Sequence, residues 1–479
     1  MIKRAAGMIV ASALLCGAVA AVTTNDVPHP EEDVITQLKP NTEEISYTIQ
    51  QSIGVPRTIG IKDGLTPATD YGQIFPYAAG LIGWDAEGEP MYRYALADSA
   101  GECITTPVYT SVERMNCQNN LIWVMHEQGE NGADRVSCAA QDGSWMLGPF
   151  DGTIRVMDTN IFLERKDSTH TIVYDSNGKI IGQVAGRVTS CSDGIIVSYE
   201  GTSGPWHISS ASTAKEFAVV QAKHVGRFFN DSATVQITDT LWGFCDKKGK
   251  ITTTTASWIE DCYAGYALAK DANKRYGVLS TSGKEIAPYE YVNGVHCSDT
   301  LPIYQLWTDE QECMVLSAKS NQKLMLPEDL QAQTLIALPE NHFAYVNENG
   351  NTSIFDDLND TELTGNAGFY QQGRYIVAAY DEGCQLFSMD QNKAGKLLDY
   401  NYILPPHEAG HEDTVFTAED PATGLQGIAD TNGKLVLDME YDRIFSIDGS
   451  YFFAVQNGWS GIVDANGDWI VRTFLTGMQ

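Results

Sequence analysis

The sequence predicts an all-β protein of tandem four-stranded repeats in a β-propeller-like arrangement, one propeller or two, with an open β-solenoid array as the alternative. Three observations lead there. A short pattern occurs twice near the C-terminus: Gly427-Ile428-Ala429-Asp430-Thr431-Asn432-Gly433-Lys434, then, 34 residues on, Gly461-Ile462-Val463-Asp464-Ala465-Asn466-Gly467-Asp468. Its Asp-x-x-Gly turn returns, whole or worn, at Gly101, Gly143, Gly178, Gly249 and Gly283, with 34 or 35 residues between the clear neighbouring copies. A near-fixed period of this size marks a repeat architecture. Finally, apolar runs of a few residues are bounded by Gly, Asn and Asp, and no stretch carries a long helical period, which favours strands.

Residues 1–20 are a distinct segment. Lys3 and Arg4 are its only charges, Ala5 to Leu15 is a short apolar run, and Ala18-Val19-Ala20 offers a small-x-small cleavage site. This three-part layout reads as a secretory signal peptide. The apolar run is short for a membrane span of roughly 20 residues. Leu15 is bulky where a lipidation site at Cys16 wants a small residue, so no lipid anchor is expected. Residues 21–66 read as a polar leader or linker with room for a strand or two, since Thr23 to Glu44 carries three prolines and six acids. Residues 67–479 are the repeat region. It opens at Tyr71-Gly72-Gln73-Ile74-Phe75, which echoes Tyr441-Asp442-Arg443-Ile444-Phe445.

Each repeat reads as four short strands, for example Ala267-Leu268-Ala269, Tyr276 to Leu279, Glu285-Ile286-Ala287 and Tyr291 to Val295. Trp206, Trp242 and Trp459 share one position, at the start of the second strand in this frame, and are expected to pack within or between repeats. Such a unit buries too little apolar surface to offset the entropy of ordering it, so repeats must cover one another. The last repeat stops after its third strand, Trp469-Ile470-Val471, and Tyr71 to Phe75 is the candidate for the missing fourth. Completion of one blade from both ends would close a ring and remove open sheet edges.

The pattern becomes specific at Leu241 to Ile251. Trp242-Gly243, followed by Phe244, Asp246 and Gly249-Lys250, resembles the bacterial WG-repeat family. Trp459-Ser460-Gly461, with Asp464 and Gly467, and Tyr276-Gly277-Val278-Leu279 are variants of the same motif. The resemblance implies tandem β-repeats, often on exported bacterial proteins, and implies no activity. The unit around Trp206 departs from it, with His207 where the glycine should stand and no Asp-x-x-Gly turn after it.

Formal charge is −31, and loss of Lys3 and Arg4 with the signal takes it to −33. A surface this acidic repels nucleic acid and anionic lipid. No segment beyond the signal is apolar enough to span a bilayer. His407-Glu408-Ala409-Gly410-His411 matches the zinc-peptidase spacing H-E-x-x-H, but Pro405-Pro406 before it and Gly410 within it argue for a polar loop. Asp464, Asn466 and Asp468 have the alternate spacing that opens a calcium loop, without the closing glutamate, and are read as turn residues. No cofactor or metal is therefore expected.

The functional expectation is an exported, secreted or cell-surface, non-enzymatic binding protein with a protein or glycan partner. The alternative is a carbohydrate-active or other hydrolytic enzyme with its site in a propeller funnel. Carboxylates converging within about 5–9 Å would distinguish it, beside one of the tryptophans off the repeat position: Trp84, Trp123, Trp145, Trp258, Trp307 or Trp469. Of the ten cysteines, nine remain after signal removal. Their repeat positions suggest the disulfides Cys117–Cys138, Cys297–Cys313 and Cys245–Cys262, with plain apolar filling of the positions as the alternative.

Overall fold

The five-residue strands Trp242–Asp246, Tyr266–Lys270, Tyr276–Ser280 and Gln426–Asp430 each bury their three middle residues and half-expose their ends. Consecutive buried side chains mean that both faces of these strands are covered. Glu285–Tyr291 and Leu435–Tyr441 instead bury only their third and seventh residues. Gly-Asn-Asp turns cut the chain into short pieces, and apolar content decides which pieces lie inside: two central strands per repeat, sandwiched between neighbouring sheets, and an outer strand facing water.

A computed structural model describes residues 73–474, except 85–89, 130–133, 326–335, 338–342, 347–350, 356–359, 404–413 and gaps of one or two residues, with backbone alone over most of 324–372. Among the described residues it is all strand, turn and bend, and no helix is long and apolar enough to cross a membrane. Eight four-stranded antiparallel meanders span 187–220, 224–253, 258–291, 293–325, 336–366, 369–398, 401–441 and 443–474. A nine-stranded sheet precedes them, from Ile74–Trp84 to Ile180–Ala185. The sheets stay separate and pack face to face: Leu268 and Tyr291 share a core with Tyr304 and Leu306 of the next sheet, and Leu437 and Tyr441 share one with Ile444 and Phe452. The architecture is a propeller-like succession of four-stranded sheets, not a closed barrel.

The repeat frame differs from the one read in sequence by one strand. The expected fourth strand, Tyr291 to Val295, is divided: Tyr291 ends the strand Glu285–Tyr291, while Asn293–His296 opens the next sheet and pairs with Ile303–Trp307. Val292, between them, already donates its N–H to Trp307 O at 2.9 Å. The sequence repeat therefore straddles two sheets, and the shared tryptophan position starts the third strand of a sheet.

This shift also changes how the ends meet. The last sheet is complete, with Arg443–Ser446, Tyr451–Gln456, Trp459–Asp464 and Trp469–Phe474. The expectation that the Tyr71–Phe75 region supplies a missing strand is corrected: Ile74–Trp84 pairs with Pro90–Asp98. It lays a face on the last sheet instead of joining its edge, and Phe75, Tyr77 and Trp123 share one core with Phe453, Val455, Ile462 and Val471.

The nine-stranded sheet holds two repeats fused through one long strand, Met146–Met157. Its first half pairs with Asp134–Ala140 and its second with Asn160–Arg165. The halves meet at Asp151-Gly152. Gly152 has φ +156°, and a β-carbon there would lie 2.2 Å from Glu164 O, so only glycine fits the corner.

Candidate binding cleft

The repeat residues serve the fold. In the turns, Asp246 Oδ1 accepts from the N–H groups of Lys248 and Lys250, both at 2.9 Å, and Gly249 N–H returns to Asp246 O at 2.9 Å. Asp464 repeats the geometry with Asn466 at 2.8 Å, Asp468 at 3.0 Å and Gly467 at 3.0 Å. Gly249 and Gly467 have φ of +78° and +82°, which a turn of this kind requires. Gly243 and Gly461 have a different cause: a β-carbon would lie 2.3 Å from Thr252 O and 2.0 Å from Val471 O respectively. There the outer strand presses its carbonyl against the third strand. At His207, where the glycine would stand, the strand Trp206–Ser210 still pairs on both sides and the sheet 187–220 forms in full.

Trp206 is buried and donates its indole N–H to Ala222 O at 3.0 Å. Trp242 is half-buried against the core of the 224–253 and 258–291 sheets, and half-buried Trp459 lies 4.3 Å from the Arg472 guanidinium. Off the repeat position, Trp123, Trp145 and Trp307 are buried, and Trp258 and Trp469 are half-buried. No described tryptophan side chain is fully exposed. The Trp84 side chain, the His407–His411 motif and segments 1–20 and 21–66 lie outside the described residues.

The expected disulfides are corrected. Cys117, Cys138, Cys245, Cys262, Cys297 and Cys313 are all buried free thiols. Cys117 lies beside Asn120 and Cys138 beside Val124, on opposite sides of the strand Asn120–Gln128. Cys297 and Cys313 likewise flank Ile303–Trp307. Two ladder steps of about 4.8 Å exceed the Cα separation of about 7 Å that a disulfide spans. Cys245 and Cys262 pack in different cores, one between sheets 187–220 and 224–253, the other between 224–253 and 258–291. The thiols fill repeat positions as small apolar groups, and burial pushes Cys245 and Cys262 up to about 12.

A cleft of about 580 Å³ lies at the Gly152 corner. It is lined by Asp134, Asp151, Arg155, Glu164, Arg165, Lys166 and Arg187, from the two fused repeats and the first strand of the next sheet. Arg155 Nη2 and Arg187 Nε both face one oxygen of Glu164, at 4.0 and 3.6 Å. Desolvation raises the Glu164 carboxyl above its ordinary value. Arg155 also donates to Val188 O at 3.1 Å, which ties the cleft to the next sheet. Asp151 is held by Arg135 at 3.7 Å. Arg165 sits 5.5 Å over the Phe150 ring, and Lys166 N–H donates to Asp151 O at 3.1 Å. Neither charge has an ion-pair partner among the described residues, so the cleft carries cationic groups in excess. No sequence motif marks this group, because the cations come from strands that only the corner brings together.

A second group also escapes sequence reading. Glu260 Oε2 is buried without a hydrogen-bond partner, and the carboxyl is pushed up to about 7, first by burial and then by the charge of Asp261. Asp261 accepts from Thr234 Oγ1 at 3.2 Å and faces Arg227 Nε at 3.9 Å. Arg227 covers the Tyr263 ring at 4.7 Å, and Tyr263 stacks on His296 at 4.0 Å. Neither carboxylate lines the cleft.

These features define a propeller-like β-repeat protein with a charged cleft. The family model described as WG containing repeat matches residues 427–458, which run from Gly427 in one sheet to Gly458 in the next. No curated protein matches the chain. Among solved structures, the chain is similar to apo AztD from Citrobacter koseri, with 13% identity and a TM-score of 0.32 over 58% of this chain and 93% of that one. Kluyveromyces lactis Hsv2 gives 11% and 0.30 over 52% and 95%. A eukaryotic initiation factor gives 10% and 0.39 over 63% and 92%. The fold assignment rests on the sheet order, not on these distant likenesses.

Proposed function

We propose that this chain is an exported, non-enzymatic binding protein of WG-like β-repeats, whose ligand site is the cleft at the Gly152 corner. The observation that carries the reading is the cleft itself: about 580 Å³, lined by charges from three successive strand groups. Two of its three acids face arginines, Glu164 between Arg155 and Arg187 and Asp151 against Arg135, which leaves Arg165 and Lys166 for a ligand. The repeat Asp and Gly residues are committed to turns and close strand contacts. The test is a screen of residues 21–479 against glycan and surface-protein arrays, with Arg187→Ala as the control. A ligand that binds the parent and is lost in the control supports the reading. Ligands indifferent to the control oppose it.

One observation favours the enzymatic alternative: a buried carboxyl near pH 7 beside a second acid suits general acid–base work. Hydrolysis of an array glycan or peptide that disappears in Glu260→Gln would establish it. Equal turnover in parent and variant would remove Glu260 from consideration.

A further inference from the structure

We infer that the cleft binds an extended acidic peptide, its side-chain carboxylates engaged by Arg155, Arg165, Lys166 and Arg187. The inference rests on the cleft being the ligand site. Overall the chain has 62 acids against 31 bases, yet the cleft gathers four bases against three acids. One of those acids, Asp151, lies 3.7 Å from Arg135, a guanidinium it shares with Glu127 at 3.5 Å. Glu164 alone serves two guanidinium groups through a single oxygen. Arg165 and Lys166 are exposed, and the Phe150 contact orients the Arg165 guanidinium without using its donors.

Guanidinium forks match carboxylates in geometry as well as charge. A ligand carboxylate can therefore complete the coordination that Glu164 supplies in part. Peptide is favoured over anionic sugar because no cleft-lining residue is aromatic, and sugar rings are commonly held on aromatic faces. The rest of the acidic surface works against distant anions only weakly at physiological salt, where charges are screened beyond about 8 Å. Contact inside the cleft then decides binding.

The experiment is fluorescence anisotropy of residues 21–479 with a labelled deca-glutamate peptide, and with oligogalacturonate as the sugar comparison. Peptide binding should weaken about tenfold in Lys166→Glu and in Arg187→Gln, and tighten several-fold in Glu164→Gln, where the internal competitor is removed. Lys166 is exposed, so its variant should keep the parent circular dichroism and melting temperature, and it reports binding without a folding defect. No peptide binding, or peptide binding unmoved by all three substitutions, overturns the inference. Oligogalacturonate binding that depends on Lys166 and Arg187, without peptide binding, overturns the peptide assignment and leaves the cleft as the ligand site.

Discussion

Gln141 donates its side-chain amide to Asp448 Oδ2 at 2.8 Å, across 307 residues of sequence. The bond lies on the seam where the first sheet meets the last. Arg114 on the same seam donates to the carbonyls of Ser446 and Ile447, and the Phe75 and Tyr451 rings lie 4.6 Å apart. A sheet series that returns to its start covers the apolar faces that an open series would leave at both ends.

Removal of the seam's charged donor should therefore cost more than an ordinary surface change. Arg114→Ala is expected to destabilise by about 1.5–3 kcal/mol, the range for hydrogen bonds to charged groups. Urea unfolding measures it. A midpoint unchanged from the parent would mean that the two ends do not support each other.

Glycines in the repeat should divide into two classes. Gly461→Ala places a carbon 2.0 Å from Val471 O and is expected to cost about 2 kcal/mol or more. Gly194 has φ +72° but nothing within 4 Å of the added carbon. Gly194→Asn should cost less than about 1 kcal/mol, because Asn tolerates that backbone. Thermal melts that rank the pair in reverse would show that close contact is not what fixes the motif glycine.

Glu260 should make stability pH-dependent. Its folded pKa is raised to about 7 from 4.5, so its contribution is full below the unfolded value and is lost as pH rises through the folded one. The melting temperature should fall as pH climbs from about 5 to about 8, and Glu260→Gln should flatten that part of the profile. Parallel profiles for parent and variant would place the carboxyl in water.

The buried thiols should be silent in the folded protein. Cys117 and Cys245 are pushed up to about 12, chiefly by burial, which removes the reactive thiolate at neutral pH. Iodoacetamide should label Cys117, Cys138, Cys191, Cys245, Cys262, Cys297, Cys313 and Cys384 only in denaturant, and non-reducing peptide mapping should return Cys117, Cys138, Cys245, Cys262, Cys297 and Cys313 unpaired. A linked Cys117–Cys138 peptide would require the strand between them to move.

Much of the fold was readable because the repeat writes its turns in residue types that have few substitutes. Asp246, Gly249, Asp464 and Gly467 announce hairpins through side-chain capping and positive φ, both local properties. Strand identity followed from the apolar runs between them. Sheet boundaries did not follow, because Tyr291 and Asn293 are separated by one residue whether the chain makes a hairpin or steps to the next sheet. The direction taken depends on Val292 meeting Trp307, a partner that the local sequence does not name.

The cleft and the seam belong wholly to the tertiary level. The repeat pattern does not mark Asp151-Gly152, yet it bends a single strand between the two halves of the nine-stranded sheet and sets Arg155 and Arg187 around Glu164. Arg114 and Ile447 are ordinary residues until the series returns on itself. Local chain geometry is set by backbone sterics and nearby hydrogen bonds, which act over a few residues and leave a mark in composition. Charge clusters and cores between distant sheets arise from packing many units at once, and no single unit carries a record of where its neighbours will stand.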